Sequence, residues 1–201
     1  NAILVLERAK MLANEDLNIN LFVKYYLSLT YEKARRLDDA IVLWESIMKM
    51  RSDYMDVAEK LDSYADLRLN DRLKDYMTVD DNKFESICRA AIGALGLSVM
   101  ELYKKSSDNI EILAMETDRK LINQKPKKVL VHFIRDNENI PESFVREFHN
   151  SIRNFNAMKG TIYTSSGYSS ASTDYASTRP IELIDKNGLS NLLEQLNRSE
   201  F

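Results

Sequence analysis

The chain of 201 residues contains little proline, glycine, cysteine or histidine: three Pro, five Gly, one Cys and two His. A lone cysteine excludes an internal disulfide, and no His or Cys residues cluster at the spacing of a structural zinc site. Because 44% of the residues are hydrophobic and 29% are charged, the composition is typical of a folded protein and excludes a disordered one. The length allows one or two domains.

The sequence also lacks long apolar runs and an excess of positive charge. Its longest apolar stretch, residues 90–100, is interrupted by Gly93 and Gly96 and is shorter than the roughly 18 residues that a membrane span needs. The formal net charge is −3, so nucleic acid is left as an alternative ligand and is not favoured. The lone cysteine is compatible with a reducing compartment and favours the cytoplasm.

The chain begins at Asn1, already in a helical pattern, so we interpret it as part of a longer protein. Any anchor or signal upstream of Asn1 is invisible in this sequence.

The first part of the chain, residues 1–79, has apolar residues at helical spacing and no Pro or Gly. Short polar corners separate the helices, which predicts antiparallel helical hairpins. Residues 80–82 mark a change of pattern. From residue 83 to residue 201, helical stretches alternate with short β-rich runs, which predicts a mixed β-sheet flanked by helices. The predicted fold class is therefore α followed by α/β.

Residues 21–52 resemble one tetratricopeptide repeat (TPR). Leu27 and Tyr31 match the Leu and Tyr of the first helix of such a repeat, with Ser at its usual Gly position. Ala40 and Trp44 match the Ala and the large aromatic residue of the second helix. The resemblance implies the C-terminal part of a longer repeat array that binds a protein partner. Asn20 and Lys24 are then expected on the outward, partner-binding side of the first helix.

The second part of the chain resembles the Mrr-like branch of the PD-(D/E)xK restriction-endonuclease superfamily. The similarity covers about residues 83–196 and is strongest over residues 145–171, 181–185 and 189–193. Phe84-Glu85 fits the opening helix of this family. The resemblance implies a restriction-endonuclease-like fold of bacterial type. Its members hold Mg²⁺ on carboxylates of two neighbouring strands, and a Lys serves the attacking water.

Three positions carry the catalytic residues in that family pattern. The first Asp falls at Glu111, the following Glu or Gln at His132, and the Lys at Ile134. Because isoleucine bears no charge, the pattern predicts vestigial positions, no catalytic residues and no metal. His132 is interpreted as a strand histidine, or else as a metal ligand beside Glu111 that would favour a transition metal over Mg²⁺.

The sequence therefore predicts a non-enzymatic scaffold or adaptor with no cofactor, which binds a protein through its repeats. One alternative is an Mg²⁺-dependent DNA endonuclease with migrated ligands at Glu111, Glu116 or Asp108. Another is a DNA-binding adaptor that does not cut.

Overall fold

The computed structural model describes residues 2–13, 16–65, 71–116 and 127–196. The chain forms two compact units, Asn1–Lys74 and Asp75–Phe201. The predicted boundary between residues 79 and 83 lies slightly beyond this division. Within the described residues, no helix has both the length and the apolar character to cross a membrane.

The first unit consists of helices that pack against their neighbours in sequence order. They are α1 (Ala2–Leu12), α2 (Leu17–Lys33), α3 (Leu37–Met50), α4 (Val57–Ser63) and the start of α5 (Asp71–Thr78). Asp16 begins α2, because its carboxylate accepts hydrogen bonds from the backbone N–H groups of Asn18 and Ile19 at 2.8 and 3.2 Å. The pairwise helix packing is observed, whereas the assignment of these helices to tetratricopeptide repeats stays a prediction.

Trp44 lies at the centre of the packing of α2, α3 and α4. It is fully buried, and its ring stacks on that of Tyr64 with centroids 5.4 Å apart. Leu27, Ala40 and Ile47 are also fully buried. The apolar stripe predicted on α2 and α3 is therefore the core of this unit.

Asn20 and Lys24 do not project outward as expected. Each is only 8% exposed. The Lys24 ammonium donates to Ser46 Oγ at 2.9 Å, while its apolar stem is covered by the packing of α2 on α3. The expectation of exposed groove residues is wrong at both positions, and a protein partner for this unit stays a prediction.

The second unit is an α/β domain around a five-stranded mixed sheet. Its helices are the end of α5, then α6 (Asp81–Ala94), α7 (Glu142–Asn154), α8 (Ser170–Ala176) and α9 (Lys186–Glu194). Its strands are β1 (Leu97–Ser106), β2 (Asn109–Glu116), β3 (Lys128–Ile134), β4 (Lys159–Thr164) and β5 (Ile181–Ile184). The predicted mixed sheet with flanking helices is confirmed.

The strands are ordered β1-β2-β3-β4-β5, antiparallel from β1 to β3 and parallel from β3 to β5. Helix α6 contacts β1, β2 and α9, while α7 contacts β4 and α8. Successive strand residues alternate between these two helical layers. Leu113, Leu130 and Ile162 therefore share a core with Phe148 of α7.

We expect Trp44→Ala to lower the free energy of unfolding by about 3–5 kcal/mol, because it leaves a large cavity in the core of the first unit. Trp44→Phe should cost less, since the buried Nε1 of Trp44 makes no hydrogen bond with any described residue. Urea titration followed by circular dichroism measures both values. Val42→Ala on the same helix, at a side chain that is 63% exposed, is the control. Equal losses for Trp44→Ala and Val42→Ala would contradict the core assignment.

Candidate active site

The register of β2 and β3 places two buried polar side chains opposite each other. Glu111 pairs with His132 in this antiparallel ladder, and the two are 2% and 4% exposed. Glu111 Oε2 lies 3.7 Å from His132 Nδ1. Both residues were singled out from the sequence, and the fold brings them together.

A lysine that sequence reasoning missed joins them from β1. The ladder between β1 and β2 is irregular between Lys104 and Ser106, so Lys105 and Ser106 together oppose Asn109. This two-against-one arrangement is a β-bulge. The Lys105 ammonium lies 3.0 Å from Glu111 Oε1, whereas that of Lys104 lies 2.7 Å from Glu85 of α6. Adjacent lysines thus serve opposite faces of the sheet.

These side chains line a small pocket of about 90 Å³ between the sheet and α7. Its lining residues are Lys105, Asn109, Glu111, His132, Phe144, Glu147, Phe148 and Ser151. Four buried atoms around the pocket make no hydrogen bond with described residues: Asn109 Oδ1, Glu111 Oε1 and both ring nitrogens of His132. The Lys105 ammonium is close enough to Glu111 Oε1 to form an ion pair, but the angles of this contact are not those of a hydrogen bond. Buried polar atoms are nearly always paired, so this concentration indicates a site built for a polar ligand.

His132 is neutral at physiological pH. Burial, and to a smaller extent the charge of Lys105, lowers its pKa to about 3. Phe144 and Phe148 supply part of that burial, with ring centroids 5.0 and 5.8 Å from the imidazole. The contact with Glu111 is therefore not a salt bridge. A neutral imidazole keeps a nitrogen lone pair for a metal ion.

Ile134 has no chemical role in the site. It is 2% exposed and packs in the apolar core with Leu130 and Phe148. The next residue, Arg135, points to the other face, where it donates to the carbonyl oxygens of Val79 at 2.7 Å and Ser107 at 2.6 Å. Ile134 is therefore a core residue of the second unit, and its description as a vestigial catalytic position stays a prediction.

The other two carboxylates considered from the sequence lie away from Glu111. Asp108, in the turn between β1 and β2, has its Oδ1 3.5 Å from Arg135 Nε. Glu116, at the far end of β2, alternates to the face opposite that of Glu111. Neither residue joins the pocket, so a ligand site with shifted register is not formed.

A metal ion at this site would have few protein ligands. Within residues 2–13, 16–65, 71–116 and 127–196, no group of three His, Cys, Asp or Glu residues is arranged to hold one. Glu111 and His132 are two suitable donors, and the amide oxygen of Asn109 is a third. The orphaned atoms of these three residues fit a divalent cation that keeps some of its water.

Comparison with known proteins identifies the second unit. Residues 76–193 match the family model Mrr_cat, described as restriction endonuclease. The chain belongs to this family. The match covers the sheet, the pocket and most of the helices of the second unit. It does not extend to the first unit.

One solved structure is similar, the DNA modification-dependent restriction endonuclease AspBHI. The sequences are 12% identical and the TM-score is 0.40. The aligned region covers 55% of this chain and 30% of AspBHI. No curated protein matches the chain.

The prediction of a non-enzymatic scaffold is contradicted by these findings. The chain belongs to a family described as restriction endonuclease. Its second unit also keeps a pocket with buried, unpaired polar atoms. The prediction assumed that a site with isoleucine at position 134 has no positively charged side chain. In the structure, Lys105 of β1 places its ammonium beside Glu111.

We expect the free energy of unfolding to fall as the pH drops from about 6.5 towards 3. Over this range the unfolded chain protonates His132 while the folded chain, with a pKa of about 3, does not. One such group contributes at most about 1.4 kcal/mol per pH unit.

His132→Gln should make this acid-side slope shallower, as measured by urea titration in buffers with a chelator. His149→Gln, at a half-buried histidine on α7, is the comparison. Burial, followed by the charges of Arg153 and Arg179, also lowers the pKa of His149, so this substitution should make the slope shallower by a smaller amount than His132→Gln. Identical slopes for the wild type and His132→Gln would contradict a buried neutral His132.

Proposed function

We propose that the second unit is a divalent-metal-dependent DNA endonuclease. The observation that carries this proposal is the pairing of Glu111 with His132 in a pocket whose buried polar atoms make no hydrogen bond with the described residues. Membership of a restriction endonuclease family supports DNA as the substrate. Hydrolysis of a phosphodiester fits a carboxylate, a neutral imidazole and an ammonium gathered at one place.

The donor set of the pocket predicts the metal preference. Mg²⁺ prefers an octahedral shell of oxygen ligands, whereas imidazole suits transition metals. Glu111 and His132 would hold the ion, with Asn109 as the third donor. The ion would neutralise charge on the phosphate and activate a water molecule. We therefore expect Mn²⁺ to support cleavage better than Mg²⁺.

The buried and the exposed residues of the pocket suit different roles, metal binding and substrate binding. Glu111 and His132 are buried, and His132 lies against the rings of Phe144 and Phe148, whereas the Lys105 side chain is 47% exposed at the pocket. A phosphate group can thus approach from the exposed side while the metal ligands stay held by the sheet. Burial of these ligands strengthens their electrostatic effect on the reacting phosphate.

A second candidate function is DNA binding without cleavage. It is favoured by Ile134, which leaves β3 without the lysine that the family pattern places there. Both candidates predict DNA binding with an affinity that falls as salt rises. Strand cleavage distinguishes them, because only the endonuclease breaks the strand.

We expect the purified chain to cleave duplex DNA in the presence of Mn²⁺, and Glu111→Gln to reduce the rate by about 100-fold or more, because it removes the charged metal ligand at constant size. Single-turnover gel assays measure the rate. The control is Glu182→Gln, because Glu182 lies on the opposite face of the sheet. Salt-dependent DNA binding with no cleavage in Mn²⁺ or Mg²⁺ would support the second candidate instead.

A further inference from the structure

The site needs a cationic group beside the phosphate, and β3 does not provide one. Negative charge develops on phosphoryl oxygens during hydrolysis, and positioned cations stabilise it. Ile134 is buried in the apolar core, and the guanidinium of Arg135 is engaged on the other face of the sheet. Lys105 is the lysine that lines this pocket.

We infer that Lys105 of β1 is the catalytic lysine of this chain and contacts the scissile phosphate. This inference rests on the proposed endonuclease function. It assigns the role to a strand on the other side of β2 from the one where the family pattern places its lysine.

The position of Lys105 on β1 determines which face of the sheet its side chain reaches. Tyr103 pairs with Glu111, and Lys104 pairs with Ile110. Because strand side chains alternate, Lys105 lies on the same face as Tyr103 and Glu111. The bulge between Lys104 and Ser106 makes Lys105 the extra residue of β1, and such bulges are common next to active sites. The Lys105 ammonium ends 3.0 Å from Glu111 Oε1 and 5.8 Å from the centroid of the Tyr103 ring.

The difference in burial between the two ends of this ion pair suits a catalytic role. The Glu111 side chain is 2% exposed, while the Lys105 side chain is 47% exposed. A buried carboxylate can hold a fixed metal ion. A half-exposed ammonium on a flexible stem can turn from the carboxylate to an arriving phosphate. The absence of hydrogen-bond geometry at Glu111 Oε1 means that this move breaks no hydrogen bond.

The proposed role requires no net proton transfer by Lys105. A water molecule attacks phosphorus and forms the new P–O bond, while the bond from phosphorus to the leaving sugar oxygen breaks. The proton lost by the water goes to solvent, and solvent returns one to the leaving oxygen. The Lys105 ammonium stays protonated throughout and donates hydrogen bonds to a non-bridging phosphoryl oxygen.

The test compares Lys105→Ala with Lys104→Ala. Lys104 is adjacent in sequence and similarly exposed, but its ammonium pairs with Glu85 on the opposite face. We expect Lys105→Ala to slow single-turnover cleavage in Mn²⁺ by about 100-fold. Lys104→Ala should change the rate by less than about threefold. Lys105→Gln, which keeps a long polar stem without charge, should behave like Lys105→Ala, and circular dichroism checks that each variant is folded.

Mn²⁺ affinity, measured by calorimetry without DNA, gives a readout that is independent of cleavage. We expect Lys105→Ala to tighten it by less than about tenfold, because the substitution removes a positive charge that competes for Glu111 but removes no metal ligand. An affinity at least about tenfold tighter, with cleavage retained, would overturn the inference and indicate that the ammonium occupies the place of the cation beside Glu111.

The remaining outcomes separate the inference from the function on which it rests. If the wild type cleaves DNA and Lys105→Ala cleaves equally well, the assignment of Lys105 is overturned and the endonuclease proposal stands. If the wild type binds Mn²⁺ and DNA but cleaves nothing, both are overturned. Loss of cleavage in Lys105→Ala, with Mn²⁺ affinity tightened by less than about tenfold and the Lys104 control unchanged, supports the inference.

Discussion

The antiparallel register of β2 and β3 is the constraint on which the second unit depends. It sets Glu111 against His132 and, one step further, Ile110 against Phe133. Because strand side chains alternate, a slip of one residue would turn Glu111 to the face of α6 and move the whole apolar set to the wrong layer. The core and the candidate site are therefore fixed by the same ladder.

Burial of the Glu111 carboxylate carries a cost that its surroundings reduce only in part. A buried charge is costly unless a partner of opposite charge and hydrogen bonds compensate it. Lys105 supplies the charge, but Oε1 of Glu111 accepts no hydrogen bond from described residues, and neither nitrogen of His132 makes one with them. Unsatisfied polar atoms of this kind are typical of functional sites, where a ligand completes the set.

Much of the second unit could be predicted from its sequence because its central elements are strongly patterned. Strands β2, β3 and β4 are buried apolar runs, and α7 repeats Phe144 and Phe148 at helical spacing. The sequence does not predict β1 as a strand, because β1 is half exposed and includes two adjacent lysines. In the first unit, the burial of Lys24 could not be predicted from its sequence either. Lysine is a charged residue, but the apolar stem of Lys24 is buried.

The role of Lys105 is hidden in the sequence for a different reason. A family pattern assigns each catalytic residue to a fixed strand position. By that pattern the site has no catalytic lysine, because position 134 is isoleucine. Catalysis requires only that the ammonium lie near the carboxylate, and Lys105 of β1, the strand on the other side of β2 from β3, meets this requirement. Ile134 can then fill the core between the sheet and α7, where a charged side chain would be costly to bury. At this site β3 thus contributes the apolar packing of Ile134, and β1 contributes the positive charge of Lys105. The three-dimensional arrangement shows this division of roles, and the family pattern does not.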